Sequence, residues 1–193
     1  DACEKQGIPV VVLDRPNPIN CIDEEGPILD LGYTSFVGLH SIPVRHGKTI
    51  GELARIFKAE RFPSCELYVM EMENYDKRMW FDETGLPWVM PSPNMPTLDT
   101  AIVYPGMCLL EATNVSEGRG TTRPFEIFGA PFIDAEKLCR YMNGLKLPGV
   151  LFRENYFQPT FHKGAGSICG GAQIHVLDRN VFRSFDMTIK LLQ

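Results

Sequence analysis

The chain has 193 residues, of which 44% are hydrophobic and 22% charged, the ordinary composition of a globular protein. Its formal net charge of −5 argues against nucleic acid as a partner, because phosphate binding requires a basic surface. No apolar run reaches the length of a membrane span.

The first predicted elements begin a β–loop–α–β unit. Residues 1–6 have the pattern of a helix tail that ends at Gly7. Ile8–Leu13 (IPVVVL) is apolar without interruption, which predicts a parallel strand buried on both faces. Asp14 follows this strand at its carboxyl end, where open α/β sheets place their ligand contacts.

A helix and a second strand complete this unit. A long irregular insertion, residues 14–48, separates the first strand from a predicted helix over Thr49–Arg61. Thr49 and Glu52 form a capping box, and the apolar residues that follow recur with the helical period. Glu66–Met72 (ELYVMEM) is the second predicted strand.

The sequence changes in character after Pro87, where prolines and glycines punctuate short apolar segments. One helix is predicted over Ala135–Asn143, with Asp134 as its cap. An amphipathic helix is predicted over Phe185–Leu192. The fold class expected from these elements is α/β, with a parallel sheet followed by a mixed α+β subdomain.

The strand Ile8–Leu13 needs neighbours on both sides to satisfy its backbone, yet only one other strand of this kind precedes residue 87. We therefore expect the chain to be a fragment of a longer protein. The rest of the sheet is expected to come from the remaining part of the same polypeptide or from a partner subunit.

Two polar loops are the most informative part of the sequence. Thr113–Glu126 contains almost nothing that fills a core, so hydrogen bonds around something polar must order it. Pro91–Ala101 is a second polar loop, restrained by prolines. The apolar stretch between them is short enough to form one hairpin or strand pair. We expect the two loops to be two walls of one site.

Long motifs connect these segments to a known family. They are VVLDRPNPI (11–19), SFVG (35–38), IPVRHG (42–47), TIGELA (49–54), PSPNMPTLDTA (91–101), SEGRGTTRPFE (116–126), PGVLFR (148–153) and QIHVLDR (173–179). Over nearly its whole length the chain resembles the exo-β-N-acetylmuramidase family of peptidoglycan hydrolases. It departs at Lys48 and Ala112, where methionine and glycine are expected.

The resemblance implies an organisation in two parts. Residues 1–87 would be the C-terminal part of a Rossmann-like domain with a long insertion. Residues 88–193 would be an α+β substrate-binding subdomain, truncated at its C-terminus, with the site in the cleft between the two parts.

The resemblance also implies an activity. The family hydrolyses the non-reducing terminal β-linked N-acetylmuramic acid of peptidoglycan fragments, without a metal or organic cofactor, in an extracytoplasmic (secreted or periplasmic) location. It implies that a main catalytic glutamate precedes this chain, so that the enzyme is incomplete in these residues. A non-catalytic structural or carbohydrate-binding subunit of a larger assembly remains the alternative.

The six cysteines bear on the compartment and on metal binding. They are scattered singly, without the grouped ligands that a zinc site needs, and this pattern is typical of small buried side chains. Unpaired cysteines fit a reducing compartment better than an oxidising one, so the location stays open at this point.

Glycoside hydrolysis usually needs two carboxyl groups, and the loop Thr113–Glu126 offers Glu117 and Glu126 as the candidate catalytic pair. Beside Arg119, Glu117 suits a carboxylate role, whereas against an apolar sugar face it suits a general acid. The alternative is that Glu117 and Arg119 pin the loop to itself. Glu126 has a matching alternative, a structural pair with Arg123.

Neutral amides, hydroxyls and short carboxylates recognise sugar hydroxyl and N-acetyl groups, and an arginine can bind the lactyl carboxylate of N-acetylmuramic acid. The candidate substrate-binding residues are Asp14, Glu25, His46, Asn94, Asp99, Asn114, Arg119, Thr121, Thr122 and Arg123. For Asp14 and Glu25 the alternative is a role in holding turns, and for the arginines an internal salt bridge.

Overall fold

The computed structural model describes all 193 residues, which form two compact units, Asp1–Pro87 and Trp88–Gln193. None of the helices combines the length and the apolar character needed to cross a membrane.

The first unit contains two small sheets and two helices. Its elements are α1 (Ala2–Gln6), β1 (Val10–Leu13), β2 (Glu25–Ile28), β3 (Pro43–Arg45), α2 (Ile50–Arg61) and β4 (Leu67–Met70). The parallel pairing of β1 with β4 confirms the predicted parallel sheet, and β2 pairs with β3 antiparallel. The predicted capping box of α2 is also confirmed: the Thr49 hydroxyl accepts from the Glu52 amide at 3.2 Å, and the Glu52 carboxylate accepts from the Thr49 amide at 3.0 Å.

The prediction that the first strand is buried on both faces is wrong. Val11 is 59% and Leu13 67% exposed, and their register partners on β4, Tyr68 and Met70, are 52% and 58% exposed. The reason is that this sheet has only two strands and that α2, which contacts both, covers one face of it. These four side chains form an open sheet face.

A polar cluster holds the insertion of the first unit together. Among the hydrophobic side chains of this unit only Cys21 and Trp80 are buried. The buried Arg45 pairs with Glu25 at 2.6 Å, donates to the Ile19 carbonyl, and lies 5.6 Å from the centre of the Trp80 ring. We call these contacts the Arg45 hub, because they join three stretches of chain that are distant in sequence.

The second unit contains a three-stranded antiparallel sheet and three helices. Its elements are α3 (Leu98–Met107), β5 (Ile127–Ala130), α4 (Ala135–Gly144), β6 (Val150–Phe157), β7 (Cys169–Val176) and α5 (Ser184–Leu192). The strand order is β5-β7-β6. The two predicted helices, α4 and α5, are confirmed, and the Asp134 carboxylate caps α4 by accepting from the Lys137 amide at 3.1 Å.

The hydrophobic core of the protein lies almost wholly in this second unit. Its largest buried side chains include Val103, Met107, Leu110, Phe128, Met142, Phe152 and Met187. The helices α3 and α5 approach closely, and the buried Ser184 hydroxyl connects them by donating to the Val103 carbonyl at 2.5 Å and accepting from the Gly106 amide at 2.9 Å. The polar loops lie on this core.

The apolar stretch between the two polar loops does not form the expected hairpin or strand pair. It forms α3 and a short 3₁₀ helix, Cys108–Ala112. Thr97 caps α3, its hydroxyl accepting from the Thr100 amide at 3.3 Å. A short apolar run is compatible with a buried helix as well as with a strand, and the cap decides for the helix.

Candidate active site

The polar loop Thr113–Glu126 is ordered largely by its own backbone turns, and near its end Pro124 and Phe125 are buried. Gly118 and Gly120 adopt left-handed φ angles of 81° and 84°, and Phe125, although not a glycine, adopts 63°. These turns fold the loop back on itself, so that the Phe125 amide donates to the Glu117 carbonyl at 2.6 Å. Ser116 exchanges two backbone hydrogen bonds with Gly129 of β5 and so fixes the loop to the sheet.

Glu117 is enclosed at the centre of this loop. Its side chain is 0% exposed, and three cationic or basic groups surround it. Lys163 Nζ lies 2.7 Å from Oε2, while Arg119 Nε and His162 Nδ1 lie 3.1 Å and 3.4 Å from Oε1. These are ion-pair distances, yet no donor is aligned for a hydrogen bond to either oxygen. We call these four side chains the Glu117 cluster.

Two members of the cluster come from the connection between β6 and β7, residues 158–168. Besides facing Glu117, Lys163 donates to the carbonyls of Leu110 and Thr113 at 2.7 Å and 3.2 Å. Thr160 donates to the Gly120 carbonyl through both its amide and its hydroxyl, each at 2.9 Å. The β6–β7 connection therefore fixes the polar loop through hydrogen bonds to its backbone carbonyls.

Arg119 links the cluster to two aromatic rings. It pairs with Glu111 at 3.1 Å as well as with Glu117, and its guanidinium lies 5.1 Å from the centre of the Phe125 ring. Tyr104 meets the same ring edge-on at 4.8 Å. Burial of Tyr104, together with the nearby Cys108 and Glu111, raises the pKa of its phenol, which Arg119 opposes. Tyr104 stays 37% exposed, so an aromatic surface borders the cluster.

Glu126 has four partners, three from the polar loops and one from β7. Its carboxylate pairs with Arg123 at 2.7 Å and accepts from the hydroxyls of Thr100 and Thr97 at 2.6 Å and 3.3 Å. Its backbone carbonyl accepts from the Ile174 amide of β7 at 2.8 Å. Through Glu126 the end of the loop Pro91–Ala101 contacts the end of the loop Thr113–Glu126.

The remaining predicted residues of the second unit are less engaged. The Thr121 hydroxyl donates to the Gly118 carbonyl at 2.6 Å and accepts from the Arg123 amide at 3.2 Å, so it stabilises the loop. Asp99, Asn114 and Thr122 are exposed, and Asn94 is half-buried within its proline-rich loop. The structure thus brings Glu117 to Arg119 and Glu126 to Arg123, and leaves exposed polar side chains beside these pairs.

Three predicted residues, Asp14, Glu25 and His46, belong to the first unit, and each is engaged by its own neighbours. Asp14 accepts from the Thr49 hydroxyl at 2.8 Å and from the Gly51 amide at 2.9 Å, so it anchors the N-terminus of α2. The Glu25 carboxylate is in the Arg45 hub.

The third of these residues, His46, accepts a hydrogen bond at Nδ1 from the Lys48 amide at 3.1 Å. Burial lowers the pKa of this imidazole, and the charge of Lys48 lowers it further, against the opposing influence of Glu24. The ring therefore stays neutral at neutral pH.

Sequence reasoning missed His162 and Lys163. They lie more than forty residues from Glu117, and only the pairing of β6 with β7 brings their connection to the loop. The available signal was the segment FHKG between two apolar strands, a polar connection of the same kind as the loops that were singled out. No group of three or more His, Cys, Asp or Glu side chains is arranged to hold a metal ion.

Comparison with known proteins assigns both parts of the chain to one family. The family model described as "Exo-beta-N-acetylmuramidase NamZ, N-terminal" matches residues 1–99, and the corresponding C-terminal model matches residues 102–193. The chain belongs to the exo-β-N-acetylmuramidase NamZ family. The two NamZ models thus meet just after the proline-rich loop, at the start of α3.

Individual relatives agree with this family. The chain is 49% identical over all 193 residues to the peptidoglycan β-N-acetylmuramidase NamZ of Bacillus subtilis (strain 168), of which it covers 47%. Two crystal structures of DUF1343 family proteins from Bacteroides fragilis NCTC 9343 have the same fold. One is 36% identical with a TM-score of 0.93 over 99% of this chain, and the other 31% identical with a TM-score of 0.71 over 98%. The chain spans about half the length of each of these relatives.

Proposed function

We propose that the protein carrying this chain is a glycoside hydrolase that releases the non-reducing terminal β-linked N-acetylmuramic acid from peptidoglycan fragments. Membership of the NamZ family and the 49% identity to the Bacillus subtilis peptidoglycan β-N-acetylmuramidase support this activity. Because the chain spans about half of that relative, the proposal concerns the natural polypeptide that contains these residues.

The observation that carries the proposal is the construction of the loop Thr113–Glu126. Its glutamates are buried, and its arginines are held by them with their outer surfaces in solvent: the side chains of Arg119 and Arg123 are 25% and 51% exposed. A guanidinium fixed by an internal carboxylate is preorganised for a second carboxylate from outside. We assign the lactyl group of N-acetylmuramic acid to Arg123, the more exposed of the two, because Arg119 already pairs with Glu111 as a second carboxylate. We assign the sugar hydroxyl and acetamido groups to the exposed Asn114 and Thr122.

The burial of Glu117 and Glu126 determines the roles that we propose for them. An enclosed carboxylate contacts the substrate only if the loop opens, so in the closed arrangement both act by holding cationic side chains in place. A second carboxyl group is then needed at the scissile bond. We propose that this second carboxyl group comes from another part of the same polypeptide or from a partner subunit. That part or subunit would also cover the open sheet face. Because the substrate lies outside the cytoplasmic membrane, we propose an extracytoplasmic location.

The test is hydrolysis of a chromogenic β-N-acetylmuramide by the natural polypeptide, with the corresponding β-N-acetylglucosaminide as the matched substrate that lacks the lactyl carboxylate. We expect release of the chromophore from the muramide, free N-acetylmuramic acid from muropeptides, and a strong preference for the muramide. Arg123→Met should reduce this preference. Binding of muropeptides without turnover would instead identify a non-catalytic carbohydrate-binding subunit, and neither binding nor turnover would overturn both interpretations.

A further inference from the structure

The connection between β6 and β7 carries a histidine in an unusual setting. His162 adopts a left-handed φ of 68°, a conformation uncommon for residues other than glycine. Its side chain is half exposed, although its Nδ1 lies 3.4 Å from an oxygen of the wholly buried Glu117. A residue in a rare backbone conformation persists where its surroundings determine it, and such residues concentrate at functional sites.

The surroundings of His162 do determine its position. On one side Thr160 is fixed to the Gly120 carbonyl, and on the other Lys163 is fixed to the carbonyls of Leu110 and Thr113. The His162 carbonyl accepts from the Ala165 amide at 3.3 Å, which closes a tight turn. The backbone of His162 is therefore fixed from both sides by contacts that do not involve its imidazole.

The orientation of the ring decides what it can bind. An imidazole has two nitrogens on opposite sides, and a carboxylate beside one of them favours the proton on that nitrogen. With Glu117 beside Nδ1, Nε2 is the acceptor on the opposite side of the ring and faces away from the enclosed carboxylate. At 3.4 Å this contact is not an aligned hydrogen bond, and contacts of this kind in catalytic sites often shorten when substrate binds.

We infer that His162 is a substrate-binding residue of this site, which accepts a hydrogen bond from a hydroxyl group of the saccharide through Nε2, and that Glu117 is the positioning residue that holds its ring. This inference rests on the proposed function for the identity of the saccharide. The neighbouring Phe161 is 53% exposed and offers an apolar surface of the kind that packs against a pyranose ring. Recognition of N-acetylmuramic acid would then involve the β6–β7 connection as well as the two polar loops.

The experiment uses the natural polypeptide with two substitutions at this position. His162→Asn keeps an amide donor toward Glu117 and tolerates the left-handed backbone, but it lacks the second ring nitrogen. His162→Gly relieves the backbone entirely. The matched control is His175→Asn, the same change at a half-buried histidine of β7 whose ring lies 3.4 Å from Arg153.

We expect both His162 variants to retain the melting temperature of the wild type within a few degrees and to show a KM for the chromogenic muramide about tenfold higher, with a smaller change in kcat. His175→Asn should leave both constants unchanged. As a readout independent of catalysis and of variant folding, the ring signals of His162 in the wild type should shift on addition of N-acetylmuramic acid in a ¹H–¹³C NMR titration.

The outcomes separate this inference from the proposed function. If the wild type hydrolyses the muramide but the His162 variants keep its KM, or if the ring signals of His162 stay unchanged, the inference is overturned while the proposed function stands. If the wild type fails to hydrolyse the muramide and the ring signals still shift, His162 binds the sugar and the hydrolase proposal falls. No hydrolysis and no shift overturn both.

Discussion

Replacing Glu117 by glutamine tests how much of the second unit depends on one enclosed charge. The substitution preserves size and shape, but it leaves Lys163 and Arg119 beside a neutral amide. Removal of one partner from a fully buried ion pair costs about 3–5 kcal/mol. Because the side chains of Lys163, Arg119 and His162 are 20%, 25% and 50% exposed, water screens them, and we lower the expected loss to about 2–3 kcal/mol.

The matched control is Glu111→Gln. Glu111 lies near the same loop and pairs with the same Arg119 at 3.1 Å, but its side chain is 40% exposed. An exposed pair of this kind contributes about 0–1 kcal/mol, so the control should change the free energy of unfolding by less than about 1 kcal/mol. The two variants therefore differ in burial while sharing their chemistry and one partner.

The measurement is urea unfolding followed by circular dichroism, with melting temperatures as a second observable. We expect Glu117→Gln to lower the melting temperature by about 10 °C, since about 1 kcal/mol corresponds to several degrees in a domain of this size. Combining it with Lys163→Met should cost less than the sum of the single changes, because the two side chains contact each other. Equal losses in the Glu117 and Glu111 variants, within about 0.5 kcal/mol, would refute the reasoning from burial.

Three further predictions concern the backbone, the open sheet face and pH. Gly120→Ala should destabilise the loop and reduce kcat/KM, because a Cβ there would lie 2.7 Å from a backbone carbonyl. The control Gly166→Ala has a similar φ of 75° but open space around it, so it should lower the free energy of unfolding by only about 1 kcal/mol. Equal losses in thermal melts would contradict this. Val11→Lys should reduce self-association of these 193 residues in sedimentation velocity, since it places a charge on the open sheet face. Val12→Lys on the covered face should instead unfold the first unit. Unchanged association of Val11→Lys would show that the open sheet face does not mediate self-association. The pKa of His46 is lowered on folding, so the unfolded chain binds more protons below about pH 6.5, and stability should fall as pH drops through this range. In urea titrations at several pH values, His46→Asn should flatten the dependence of the unfolding free energy on pH. An unchanged dependence would show that His46 is not its source.

Local signals in the sequence predicted the elements that depend on neighbouring residues. The capping box of Thr49 and Glu52 placed the start of α2, and Asp134 placed the start of α4. The apolar run of β1 predicted its parallel pairing correctly but its burial wrongly, because burial depends on how many layers cover a sheet and not on the strand itself.

The candidate site was predictable only in part, for a related reason. Both polar loops were visible as polar segments, and the pairs Glu117–Arg119 and Glu126–Arg123 were within reach of local reasoning. Lys163, the nearest cation to Glu117, could not be predicted from local sequence, because its position depends on the register of β6 against β7.

The Arg45 hub has a consequence for the heat capacity of the protein. Unfolding raises the heat capacity mainly by exposing apolar surface, and polar exposure lowers it. The first unit buries little apolar side-chain surface and is held by charges, a carbonyl and one indole ring, whereas the second unit has an extensive apolar core. The stability of the first unit should therefore vary little with temperature, while that of the second follows a strongly curved profile and weakens on cooling.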